Sequence, residues 1–150
     1  MSGMPNKTGD LLFFDPDPQY SFDHIYGISY IIGMAFTPEI LFGILADETR
    51  LRCLSLLHSE GELCVCEFTH ALKLSQPKVS RHLAGLRSAG MVTAQHRGTW
   101  VYYRLHPDLP DWVRKILRIT VTGIADTRPY KTDRTALAKM PNRPGSLCCA

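Results

Sequence analysis

The sequence predicts a mainly α fold with one small β-hairpin, an α+β domain of the winged helix-turn-helix kind. Three observations predict it. Two apolar stripes at helical spacing, Val65–Phe68–Leu72 and Val79–Leu83–Leu86, are separated by Lys73-Leu74, which leaves room only for a turn. After Gly90 the apolar period changes from helical to alternating, in segments rich in aromatic and β-branched residues. Finally, Phe68 to Pro107 holds no Asp or Glu, although the chain has 14, and carries Lys73, Lys78, Arg81, Arg87, Arg97 and Arg104. A basic segment inside a protein of net charge only +3 is the footprint of a polyanion-binding surface.

The elements follow in order. Residues 1–36 are expected to form an N-terminal extension, partly loose; its aromatic and Ile-rich stretch from Phe22 to Phe36 is weakened as a helix by Gly27 and Gly33. Met34 would serve as an alternative start, which the mass of the natively expressed protein tests. Thr37-Pro38-Glu39 opens a helix running to about Ala46: a capping hydroxyl, proline in the first turn and an acid at the positive end of the dipole. Asp47-Glu48-Thr49 opens the next, with Leu51, Leu54 and Leu57 on one face and Gly61 at its close. The short segment Cys64–Leu72 follows. Ser75 then caps a helix with Pro77 in its first turn and Gly90 at its end. Strand-like Met91–Ala94 and Trp100–Leu105 flank a polar turn, Gln95–Thr99, giving the wing. A last helix starts near Pro110-Asp111 and carries Val113, Ile116, Leu117, Thr120 and Ile124 on one side. That is more apolar surface than a small core absorbs, and a second copy of the chain would cover it. The domain boundaries are therefore 37–125 for DNA binding and dimerisation, and 126–150 for a flexible tail ending in Cys148-Cys149.

Several classes are disfavoured. Ile25 to Phe36, the longest uncharged run near the N-terminus, spans 12 residues, against the roughly 20 that a bilayer demands. No membrane span is expected, and without a secretory leader the compartment is expected to be the cytoplasm. No Cys-x-x-Cys, phosphate-cradling glycine loop or alternating βαβ pattern points to an enzyme. The cysteines are five, an odd number, and Cys64/Cys66 and Cys148/Cys149 lie too close in sequence to bridge comfortably. They are expected as free thiols, with Cys53 on an apolar helical face as core.

Leu45-Ala-Asp-Glu-Thr-Arg-Leu51, Gly61-Glu-Leu-Cys-Val-Cys-Glu67, Leu74-Ser-Gln-Pro-Lys-Val-Ser-Arg-His-Leu83 and the wing Gly98-Thr-Trp-Val-Tyr-Tyr-Arg-Leu105, with Pro110-Asp-Trp112 after it, resemble the ArsR/SmtB family of metal-responsive repressors, its arsenic-sensing branch above all. The resemblance covers roughly Thr37 to Ile124. It implies a homodimeric winged helix that blocks a resistance operon and needs no resident cofactor. Its inducer would be arsenite or antimonite, bound by thiolates beside the first helix of the helix-turn-helix. Leu-Cys-Val-Cys is that family's inducer signature and carries over to Cys64 and Cys66. The family's third cysteine falls at Thr69, a poor ligand for a soft ion, and this departure leaves Cys148 or Cys149 as a possible third ligand. The carboxylate and His ligands of the zinc- and nickel-sensing relatives are missing from the final helix, which has no His.

The residue chemistry agrees. A thiophilic ion selects thiolate sulfur, and a helix N-terminus lowers a thiol pKa toward the ligand form. Residues i and i+2 of a regular helix point about 200° apart, so one ion holds Cys64 and Cys66 only where that turn unwinds or was never helical. The recognition helix offers Gln76, Lys78, Ser80, Arg81 and His82, with Gln suited to adenine and Arg to guanine in double-stranded operator DNA. Lys78, Arg87 and the wing residue Arg97 suit phosphates. The alternative function is a thiol redox-responsive repressor of the same family, in which the cysteines form a disulfide instead.

Overall fold

The structure is a computed structural model that describes residues 36–144. The expectations for the N-terminal extension up to residue 35, Met34 among them, and for Cys148 and Cys149 lie outside the described residues. The described residues form six helices and one three-stranded sheet.

Helix α1, Pro38–Leu45, begins where Thr37 Oγ1 accepts from the Ile40 N–H at 3.3 Å. Helix α2, Glu48–Glu60, begins where Asp47 Oδ1 accepts from the Arg50 N–H at 2.8 Å. It stops at Gly61, whose φ of +82° suits a residue without Cβ. A three-residue strand β1, Glu62–Cys64, leads directly into helix α3, Val65–Leu72. Lys73, left-handed at φ +55°, turns the chain into helix α4, Gln76–Ser88. Ser75 holds the N-cap position of α4 without a side-chain capping bond. Strands β2, Val92–Arg97, and β3, Trp100–Leu105, make the wing; helices α5, Asp111–Ile124, and α6, Tyr130–Ala138, follow.

Two features of the sheet depart from expectation. The wing is three-stranded, in the order β1-β3-β2, because Glu62, Leu63 and Cys64 pair antiparallel with Arg104, Tyr103 and Tyr102. Its loop is also tighter than Gln95–Thr99: Gln95, His96 and Arg97 lie in β2, and Arg97 pairs with Trp100. Only Gly98 and Thr99 remain in the turn, and the φ of +61° at Gly98 is what a primed two-residue hairpin asks of its first position.

The core gathers Leu54 and Leu57 of α2, Phe68 of α3, Leu83 and Leu86 of α4, and Val113 and Leu117 of α5, all at most 2% exposed. Burying a side chain such as Phe68 contributes about 1.5–3 kcal/mol. Helix α5 buries Val113, Leu117 and Val121, so the stripe is centred on Val121 as much as on the expected Ile116, Thr120 and Ile124, which are half-buried.

The expectation of a flexible tail over 126–150 is corrected for its described part. Helix α6 packs on α2 and α3, with Leu137 and Asp133 buried. A buried aliphatic and a buried ion pair dock this segment, where its polar sequence suggested looseness.

Candidate nucleic-acid interface and thiol site

Helix α4 turns Val79, Leu83, Gly85 and Leu86 inward, and the 3.6-residue period leaves Gln76, Lys78, Arg81 and Arg87 exposed together, with Ser80 half-buried at the edge. Five of the six predicted α4 contacts therefore share an accessible surface or its margin. His82 does not. It is 7% exposed, and its Nδ1 lies 3.7 Å from Asp47 Oδ1 at the start of α2. Burial pushes its pKa below the usual His value, Asp47 pulls it up, and the cations Arg50, Lys78 and Arg81 push it down. The expected DNA contact at His82 is thus corrected: three residues after Val79, it falls on the inward face and joins α4 to α2.

Arg97 is exposed at the outer end of β2, yet it is not idle. Its guanidinium makes two bonds to Glu62, Nη1–Oε1 at 2.6 Å and Nη2–Oε2 at 3.0 Å, and lies 4.7 Å from the Tyr102 ring centre. Arg104, on β3, is also exposed and reaches Thr93 Oγ1 at 3.4 Å.

Cys64 and Cys66 are brought together. They are paired as a disulfide, with Cα atoms 5.5 Å apart. Free thiols were expected on grounds of close spacing, and the reason for the difference is local backbone. Cys64 is the N-cap of α3, extended at φ −88° and ψ 165°, because it is also the last residue of β1. Its side chain is therefore not on the helical wheel that would set it about 200° from Cys66. Cys64 is wholly buried and Cys66 half-buried, so a ligand reaches the pair from the Cys66 side. Below them, Glu67 is 3% exposed, and its Oε2 accepts from the Cys64 N–H at 2.7 Å, the acidic half of a capping box. Its Oε1 accepts from Arg143 Nε at 2.6 Å.

Thr69 does not complete a site. Its hydroxyl donates to the Val65 carbonyl at 2.9 Å, one turn back along α3. Cys53 is in the core, and burial pushes its thiol up to about 12. Among the described residues no group of three His, Cys, Asp or Glu side chains is placed to hold a metal ion. The pair Cys64/Cys66 stands as two sulfurs with a soft-ion chemistry and no third partner in that region.

Sequence reasoning missed Glu67 and Arg143. Glu67 had a signal, an acid three residues after the helix-capping position. Arg143 had none, being 76 residues from its carboxylate.

A helix-turn-helix with an exposed basic second helix, a wing beside it, and paired cysteines at the first turn of its supporting helix define a winged-helix DNA-binding regulator. Residues 47–94 match the profile of a bacterial regulatory protein family, the arsR family. The chain is 52% identical over 117 residues to the arsenic resistance transcriptional regulator ArsR1 of Pseudomonas putida, covering 76% of this chain and 88% of that one. It is 49% identical over 115 residues to ArsR2 of the same organism, covering 75% and 98%. It is 55% identical over 80 residues to the arsenical resistance operon repressor of Escherichia coli, covering 53% and 68%. Among solved structures, an antimony-specific transcriptional repressor, AntR, shares the fold at a TM-score of 0.50 and 24% identity, over 81% of this chain and 95% of that one. The protein belongs to the arsR family of bacterial regulatory proteins. No helix among the described residues is long and apolar enough to cross a membrane.

Proposed function

We propose that this protein is a transcriptional repressor that binds double-stranded operator DNA as a homodimer and lets go when arsenite or antimonite binds the thiolates of Cys64 and Cys66. The observation that carries this reading is the extended backbone of Cys64, which brings both sulfurs to one place at the start of α3. The printed names of the arsenic-resistance relatives support the same inducer. In the reduced protein the two thiols face a soft trivalent centre with the ligand atoms it prefers.

The position of the pair also supplies the switch. Cys64 ends β1, opposite Tyr102 in the wing, and Cys66 lies in the first turn of α3, which packs on α4. Drawing both sulfurs onto one ion shifts the wing strand against the supporting helix. The DNA-facing surfaces of α4 and the wing then no longer share one docking geometry. A 100-fold loss of operator affinity takes ~2.7 kcal/mol of coupling.

On α4, Gln76 and Arg81 read base edges, while Lys78 and Arg87 hold phosphates, with Ser80 at the margin. Arg97 joins the phosphate set when it leaves Glu62. Dimerisation uses α5, whose Ile119 is 68% and Trp112 36% exposed, large apolar groups that a second copy would cover. A protein that acts on operator DNA works in the cytoplasm.

The test is fluorescence anisotropy of the reduced chain on its own promoter fragment, titrated with arsenite. Release at micromolar arsenite, lost in the Cys64→Ser/Cys66→Ser variant, is the expected result. Tight DNA binding that ignores arsenite would remove the inducer.

One observation favours a second reading, the pairing of Cys64 with Cys66 as a disulfide. A hydroperoxide would oxidise the dithiol by two electrons, giving the disulfide and two waters, and DNA would be released by oxidation. Under that reading hydrogen peroxide releases the operator and arsenite acts poorly.

A further inference from the structure

Arsenite in a thiol environment forms three As–S bonds, and the region around Cys64 and Cys66 offers two sulfurs. Thr69 is committed to the helix backbone, and Cys53 is wholly buried in the core away from solvent. The remaining sulfurs of the chain are Cys148 and Cys149. A connection on the page leads toward them. Arg143 bonds through Nε to Glu67 at 2.6 Å and through Nη2 to Glu60 at 2.7 Å. The other oxygen of the same Glu67 carboxylate accepts from the backbone of Cys64 at 2.7 Å. One buried carboxylate thus joins the first thiol residue to the point where the C-terminal segment is pinned. Cys148 follows Arg143 by five residues, and five extended residues span roughly 17 Å. The Cys64 nitrogen is only two hydrogen bonds from the Arg143 guanidinium, across one carboxylate.

We propose that the C-terminal segment supplies the third sulfur of the metalloid site, from Cys148 or Cys149, and that Arg143 is the positioning residue that brings it to Cys64 and Cys66 through Glu67. This rests on the metalloid-sensing reading above and completes its ligand set. The binding step balances without redox chemistry: As(OH)3 and three thiols give As(SR)3 and three waters, each hydroxide leaving with a thiol proton. Pinning at Arg143 holds the tail thiols near the pair before the ion arrives. The third bond then forms within one molecule, at an effective concentration set by the short tether.

The experiment uses the full reduced chain and arsenite alone. X-ray absorption at the arsenic edge counts sulfurs, and DNA release measures response. The wild-type chain is expected to show three sulfurs on arsenic. Cys148→Ser/Cys149→Ser is expected to show two sulfurs and one oxygen, with release needing at least ten-fold more arsenite, while operator affinity without arsenite is unchanged. Single variants assign the sulfur to Cys148 or Cys149. Arg143→Ala is expected to raise the arsenite requirement in the wild-type background and to have no further effect in the Cys148→Ser/Cys149→Ser background, with Arg143→Lys recovering part of the response. Three sulfurs in the Cys148→Ser/Cys149→Ser variant would overturn the tail site. A persisting Arg143→Ala penalty in that background would overturn the positioning role. A wild-type chain that binds no arsenite would overturn the inducer reading and this site with it, an outcome distinct from binding that ignores the tail.

Discussion

Arg52 and Asp133, on α2 and α6, meet in a two-pronged ion pair, Nε–Oδ2 at 2.8 Å and Nη2–Oδ1 at 2.7 Å, and the same guanidinium donates to the Leu72 carbonyl at 3.1 Å. Leu72 ends α3, so one arginine ties together the last described helix, the central helix and the support of the recognition helix. The Asp133 side chain is 3% exposed and that of Arg52 13%. Taking away one partner leaves a desolvated charge behind. Asp133→Ala is therefore expected to lower stability by about 3 kcal/mol, read by chemical denaturation. Replacing both, as Arg52→Met/Asp133→Leu, should cost much less. A single variant no more costly than the double would show that the pair holds nothing together.

His82 makes stability depend on pH. Its folded pKa is held below the ordinary 6.5, chiefly by burial; Asp47 at the N-cap of α2 opposes this, and Arg50 with Lys78 and Arg81 adds to it. Below 6.5 the unfolded chain takes up a proton that the folded chain resists, so stability is full above that pH. It falls as pH drops, by at most about 1.4 kcal/mol per unit, and levels off below the folded pKa. Denaturation midpoints measured from pH 8 to 5 should show this slope, and His82→Gln should flatten it. An identical slope in the variant would assign the dependence to other groups.

The helices were legible because their ends carry local chemistry: Thr37 and Asp47 cap with their own oxygens, and Gly61 and Gly90 end helices at positive φ. The exposed set Gln76, Lys78, Arg81 and Arg87 followed from helical period alone. Strand β1 was not legible, since three residues carry no periodicity and are made a strand by pairing with β3. The same pairing fixes the extended backbone of Cys64, so the geometry that unites the two sulfurs came from tertiary contact. Helix α6 was missed for a related reason. Its anchors, Arg52 to Asp133 and Glu67 to Arg143, are 81 and 76 residues apart, beyond the reach of any local pattern.

The Glu62–Arg97 pair restrains DNA affinity. Both groups are solvent-accessible, so the bond adds under about 1 kcal/mol to stability, but it occupies a guanidinium on the wing with a carboxylate. Removing the acid frees Arg97 for phosphate and deletes a negative charge from the DNA-facing edge. Glu62→Gln is expected to tighten operator binding several-fold at low salt and to steepen its salt dependence, whereas Arg97→Ala weakens binding and flattens it by about one counterion. Anisotropy titrations between 50 and 300 mM salt, roughly the range over which phosphate contacts dominate, compare the three proteins. Equal salt slopes for wild type and both variants would take Arg97 out of the interface.

Cys53 separates folding from sensing. It is 0% exposed among the leucines of α2, and burial pushes its thiol up to about 12, so in the folded protein it is neither reachable nor ionised at neutral pH. Thiolate is the reactive form toward both disulfide reagents and metalloids. A thiol-reactive chromophore added to the reduced native protein should leave Cys53 silent, with its signal appearing only on denaturation. Cys53→Ser places a hydroxyl where the packing is apolar and is expected to cost about 1–3 kcal/mol of stability, while the arsenite concentration for half release stays at the wild-type value. A shifted midpoint in that variant, at a temperature where it remains folded, would mean that α2 transmits the signal between the thiol pair and the DNA surface.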